Sequence, residues 1–101
     1  MKPVLFEQEA LAELENAQAY YEKKLPGLGS RFAETVENGL WAIRRFPAVH
    51  PPYGPSGLRK KVLHQFPYTL FFLEVETVIW IVAVAHQRRR PDYWKDRMSG
   101  K

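Results

Sequence analysis

At 101 residues the chain has the length of one small domain with a single core, and 46% apolar residues with 14% aromatics exclude a disordered body. It contains no cysteine, which excludes disulfides and thiolate metal sites. The formal charge of +4 is unevenly spread: residues 1–57 carry six Lys/Arg against seven Asp/Glu, residues 58–101 nine against four, so the second half is the expected contact surface for nucleic acid or an acidic protein.

Residues 3–6 read as a short strand before a charged break. Over 7–24, Leu11, Leu14, Ala17, Tyr21 and Leu25 fall at helical spacing, with Glu7, Glu9 and Glu13 leading and Lys23-Lys24 closing, as the helix dipole favours. Pro26-Gly27 ends this helix. A second begins near 28–30 with the stripe Phe32, Val36, Leu40 and Ile43, and Pro47 stops it at about Phe46. So short a connection predicts an antiparallel helical hairpin, with 11–24 and 31–46 packed on the sheet. Residues 47–57 hold four prolines and two glycines and read as a surface loop without ladder hydrogen bonds.

The period then changes to two. Residues 58–65 place Arg59, Lys61 and Leu63 on one side of a strand and Lys60, Val62 and His64 on the other. Residues 68–75 are rich in Phe, Tyr, Leu and Thr and suit a second strand. Residues 78–85 are apolar throughout, as in a central strand covered on both faces. This run is far shorter than the about 20 residues a membrane span needs. With acidic residues at 7 and 9 interrupting any leader-like stretch, a soluble cytoplasmic protein without membrane contact is expected. Pro91 is placed to open a last helical turn containing Tyr93 and Trp94. The order β-α-α-β-β-β predicts an α+β domain over 1–101: a helical hairpin on a small, mainly antiparallel sheet. Expected core residues are Leu14, Tyr21, Phe32, Val36, Leu40, Ile43, Leu70, Phe72, Ile79 and Ile81.

Several short segments occur together and in order. They are Ala10-x-x-Glu13-Leu14 through Tyr20-Tyr21-Glu22, Gly27-Leu28-Gly29-x-Arg31-Phe32, Ile43 through Pro47, and Leu58-Arg59-Lys60-Lys61-Val62-Leu63. Phe66-Pro67-Tyr68 and Ala85-His86-x-x-Arg89-x-Pro91-x-Tyr93-Trp94 follow. Nearly the whole chain thus resembles the RelE/ParE superfamily of toxins from toxin–antitoxin modules, often labelled plasmid stabilisation proteins, and the last two segments look most like its ParE-like branch. The resemblance implies a toxin neutralised by a cognate antitoxin, with no cofactor or metal. It implies one of two activities, which a fold does not distinguish: poisoning of DNA gyrase, or metal-free cleavage of messenger RNA on the ribosome.

For cleavage, Lys60 or Lys61 would supply charge or a base, Arg59, Arg88, Arg89 and Arg90 would hold phosphate, and His86 or Tyr93 would donate a proton. The plainer readings are that His64 is a strand-edge histidine, His86 a hydrogen-bonding brace for the arginine turn, and Trp94 a core cap. The basic residues then form a contact surface for target or antitoxin, comprising Arg59, Lys61, Arg88, Arg89 and Arg90 with Trp94. The tract from Pro91 to Arg97 contains Asp92 and Asp96, which would repel substrate phosphate, and this favours the gyrase poison over the nuclease. A non-toxic basic module binding nucleic acid is the third reading.

Overall fold

The computed structural model describes residues 1–99. Strand β1 (Val4–Phe6) leads into helices α1 (Gln8–Lys24) and α2 (Leu28–Arg45). Strands β2 (Arg59–Val62), β3 (Tyr68–Glu74) and β4 (Ile79–His86) follow, then the short helix α3 (Lys95–Ser99). The strands form one sheet ordered β1-β4-β3-β2, with β1 parallel to β4 and the other pairs antiparallel. This is the α+β arrangement expected from the sequence.

The hairpin is tied by a carboxylate. Gly27 adopts φ +91°, left-handed backbone that glycine takes without a Cβ clash, and so ends the Pro26 turn. Glu22 then accepts hydrogen bonds from the N–H groups of Gly27 (3.0 Å) and Gly29 (3.0 Å), donors at the start of α2 that no preceding turn can satisfy. A side chain at Gly29 would place its Cβ 2.7 Å from the Gln18 carbonyl, so the helices approach this closely only because residue 29 is glycine. At the other end of the pair, Glu7 caps α1 by accepting from the N–H groups of Glu9 and Ala10.

Between the hairpin and the sheet lie Phe32, Val36, Leu40, Ile43, Leu70, Phe72, Ile79, Ile81 and Val84, all buried, with Leu14 and Tyr21 half-buried against them. The expected core is therefore correct, with these last two at its margin. Leu11 departs from expectation: at 42% exposure it lies outside the stripe, and Ala10 takes the buried place. A second apolar cluster covers the opposite face, with Phe71, Val82, Ala83 and Ala85 of the sheet beneath Leu58 and Trp94. Both faces of β4 are covered, which is why its sequence lacks alternation.

A β-bulge changes the facing midway. Phe72 pairs with Ile81 and Phe71 with Ala83, leaving Val82 as the extra residue. Val82 and Ala83, adjacent in sequence, consequently both join the second cluster.

Three local expectations need correction. The proline loop does pair with the sheet edge: the Pro51 carbonyl accepts from the Lys60 N–H at 3.0 Å, and Pro52 bridges Arg59. Proline lacks a donor but keeps its acceptor. His64 lies beyond the end of β2 in an exposed turn, because β2 stops at Val62. Tyr93 and Trp94 lie in a turn that precedes α3, whose helix begins only at Lys95. Among the described residues no helix is long and apolar enough to cross a membrane.

Candidate functional site

The arginine tract is held at the end of β4. Gln87 donates its N–H to the Pro67 carbonyl (2.8 Å), Arg89 to the His86 carbonyl (3.0 Å), and Arg88 to His86 Nδ1 (3.0 Å). His86 thus spends Nδ1 as an acceptor that braces the turn, while its ring packs edge-on against Tyr68. Arg88, Arg89 and Arg90 all remain exposed.

The basic residues of β2 divide between two faces. Arg59 and Lys61 pair with Phe72 and Leu70, whose side chains enter the helix-side core, whereas Lys60 pairs with Phe71 of the opposite cluster. Arg59 is anchored by donating to the His50 carbonyl at 2.7 Å. Lys61 borders a hollow between α2 and β2 with Thr35, Asn38 and Gly39, and Lys60 lies 5.9 Å over the Tyr53 ring. The six residues expected to form one contact surface are therefore dispersed. Trp94 leaves it altogether: it is 3% exposed and stacks on Phe71 at 4.1 Å, so it is core and offers almost no contact area.

The densest polar arrangement was not legible beforehand, because it centres on Glu13 of α1. Tyr93 donates its hydroxyl proton to Glu13 Oε2 at 2.6 Å, and Arg97 grips both Glu13 oxygens at 3.0 and 2.8 Å. The side chains of Arg97 and Glu13 are only 8% and 14% exposed. The same two side chains mend the sheet edge beyond the end of β1. Glu13 Oε1 accepts from the Val84 N–H (2.9 Å), and Arg97 donates to the Val82 carbonyl (3.1 Å), groups that a longer β1 would have paired. One sequence signal existed: Glu13 stands between Ala10 and Ala17, the two buried positions of α1, and so faces inward.

Burial drives the Tyr93 phenol well above its usual range, and its hydrogen bond to Glu13 and that residue's charge push in the same direction. Arg89 and Arg97 oppose this, with the Arg89 guanidinium 3.7 Å from the ring centroid. The hydrogen bond to Glu13 raises the Arg97 pKa further. Nearby, Asp92 adopts φ +66°, a conformation Asp tolerates, and the Tyr53 pKa is raised by burial and by a hydrogen bond to Asp92.

His86, Arg89 and Tyr93 share a hollow of about 180 Å³ with Phe71 and Tyr53, and Lys60 sits at its Tyr53 side. Lys61, on the other face, does not join them. This hollow offers cationic charge and an imidazole edge, while its phenol is already hydrogen-bonded. Among the described residues, no group of three or more His, Asp and Glu side chains is placed to hold a metal.

Comparison with known proteins adds the family. The family model described as the ParE toxin of the type II toxin–antitoxin system parDE matches residues 4–91. No curated protein matches the sequence. Among solved structures, a chain of the chromosomal ParDE TA system from P. aeruginosa superposes with a TM-score of 0.74 at 16% identity, covering 85% of this chain and 96% of that one. At that identity the likeness is one of fold.

Proposed function

Because the chain belongs to the ParE toxins of type II toxin–antitoxin systems, we propose that it arrests growth by binding DNA gyrase in the cytoplasm and that a cognate antitoxin neutralises it. The observation that carries this reading is the state of Tyr93. Its proton is committed to a carboxylate at 2.6 Å, its ring is covered by Arg89, and its pKa is raised, so it is a poor acid for a leaving oxygen. Its role is then to hold the C-terminal turn. Arg59, Lys61 and the exposed Arg88 to Arg90 remain as charged contacts for target and antitoxin. Steering an acidic antitoxin segment to them would raise its association rate, and charge reversal at Arg59 and Arg89 should slow that association most at low salt.

The test uses purified protein on gyrase and on a translating extract. Inhibition of supercoiling with messages left intact supports the proposal, as does growth arrest retained by Tyr93→Phe. A second reading, ribosome-dependent RNA cleavage of the RelE type, draws support from the convergence of His86, Arg89 and Tyr93 on one hollow with Lys60 beside it. Codon-associated cleavage abolished by Tyr93→Phe would establish that reading and sink the first. Expression without growth arrest would leave the third, a non-toxic basic module.

A further inference from the structure

α1 presents one face that the core does not use. Asn16, Tyr20 and Lys24 recur along it at four-residue spacing, and the Lys24 ammonium lies 5.2 Å over the Tyr20 ring. Across from this face stand Tyr68, His86 and Arg89, and a cleft of about 310 Å³ separates the two walls. It is a different hollow from the one that gathers His86 and Arg89 with Tyr93 on the opposite side of the sheet, although those two side chains border both. Tyr20 is 54% exposed, its ring meeting Tyr21 edge-on at 5.3 Å, whereas Tyr21 is packed among Phe32, Phe66 and Tyr68.

The exposed charge beside this cleft is that of the arginine turn. The one carboxylate lining it, Glu13, is held by Arg97 and Tyr93, with Arg97 also near Glu7 and Glu9, while Arg89 lies 3.8 Å from Glu13 and keeps 52% of its side chain exposed. Arg88 and Arg90 in the same turn are exposed and make no ion pair among the described residues. An exposed aromatic ring, a carboxamide and a cationic turn form the set that single-stranded nucleic acid requires: a surface for base stacking, a partner for a base edge, and charge for the backbone. We infer that this cleft seats a base of a single-stranded nucleic acid on Tyr20, with flanking phosphates on the turn of Arg88 to Arg90; Asp92 does not border this cleft but lines another hollow with Tyr53 and Trp94. An acidic peptide would use the arginines but leave Tyr20 and Asn16 idle. The inference stands on the cleft alone and is independent of the gyrase reading.

Fluorescence anisotropy of a labelled oligothymidylate of about ten nucleotides, within the site sizes such proteins cover, reads this directly. Tyr20→Ala, at an exposed position, should keep the fold by circular dichroism and weaken binding about 5- to 150-fold, the range of one lost stacking contact. Arg88→Ala should weaken binding and reduce the slope of log affinity against log salt by about 0.7, one phosphate contact on a single strand. Amide shifts of Asn16, Tyr20 and Arg89 in the unaltered protein should move on titration, a readout that needs no variant. Thymidine monophosphate should compete only weakly if the strand, rather than a free nucleotide, is the ligand, and tight binding of the monophosphate would overturn the strand assignment. No binding of the oligonucleotide at low salt would overturn the proposal. So would a Tyr20→Ala protein that binds like the parent, or polyglutamate that displaces the strand at equal charge, since either leaves electrostatics alone.

Discussion

On the helix side of the sheet, closure is a matter of area: Phe32, Val36, Leu40 and Ile43 meet Leu70, Phe72, Ile79 and Ile81 across two helices of 17 and 18 residues. On the other side the cover is a proline loop and a five-residue helix, too short to hold itself. Trp94 supplies apolar contact there, but the turn is pinned through Tyr93 and Arg97 to one carboxylate of α1. The contrast teaches that a small sheet can be closed on one face by two long helices and on the other by a smaller apolar cluster whose cover is held by a few charge-assisted hydrogen bonds. The second kind of closure concentrates its cost of failure in single residues.

That contrast can be broken by substitution. Arg97→Met takes the nearest cation from the largely buried Glu13, leaving Arg89 at 3.8 Å, and leaves the Val82 carbonyl unmended, so it should cost ~3–5 kcal/mol in denaturant unfolding, the range for splitting a buried pair. If it unfolds like the parent, the latch is not structural. On the burial face, Ile81→Ala or Leu40→Ala should cost ~2–5 kcal/mol through the cavity left, and an unchanged midpoint would reject the core assignment. Tyr93→Phe removes one hydrogen bond to a charged acceptor and should cost about 1.5–3 kcal/mol while growth arrest persists. Loss of arrest at unchanged stability would contradict the structural role.

The smallest effect is in alkali. The Tyr93 pKa is higher in the folded chain than its ordinary 10.0, so the folded state holds the proton more tightly than the unfolded one. The stabilisation is complete below pH 10 and is lost as pH rises from there toward the folded value. Tyr68 and Tyr21, whose pKa values are raised first by burial, contribute in the same direction. Urea midpoints should hold steady from pH 7 to 9 and fall above 10, with Tyr93→Phe falling less steeply. A midpoint that rises there would refute the assignment.

Periodicity carried most of the fold. The stripe of α2 and the two-sided apolar run of β4 are local patterns, and Pro26-Gly27 is a local stop, so helices, strands and hairpin were readable from neighbouring residues. The Pro47–Val49 turn and the bridge at Pro52 were not, because pairing there depends on a carbonyl meeting β2 rather than on residue type. Among the site residues, the exposed turn of Arg88 to Arg90 was legible as charge at a strand end. Trp94 reads from the sequence both as a core cap and as contact surface, and only its stacking on Phe71, a residue 23 positions earlier, decides for the core.

What the sequence by itself determined, then, is the order of elements, the face of α2 that enters the core, and a basic second half. Those follow from side-chain periodicity and composition, which act over a few residues. Only the tertiary structure decided that Glu13 would meet Tyr93 and Arg97, residues 80 and 84 positions away, at a bulged edge that β1 is too short to cover. A carboxylate on an inward helix face can be buried only if a cation and free donors arrive there, and their arrival is set by the closing of the chain, not by the carboxylate's own neighbours.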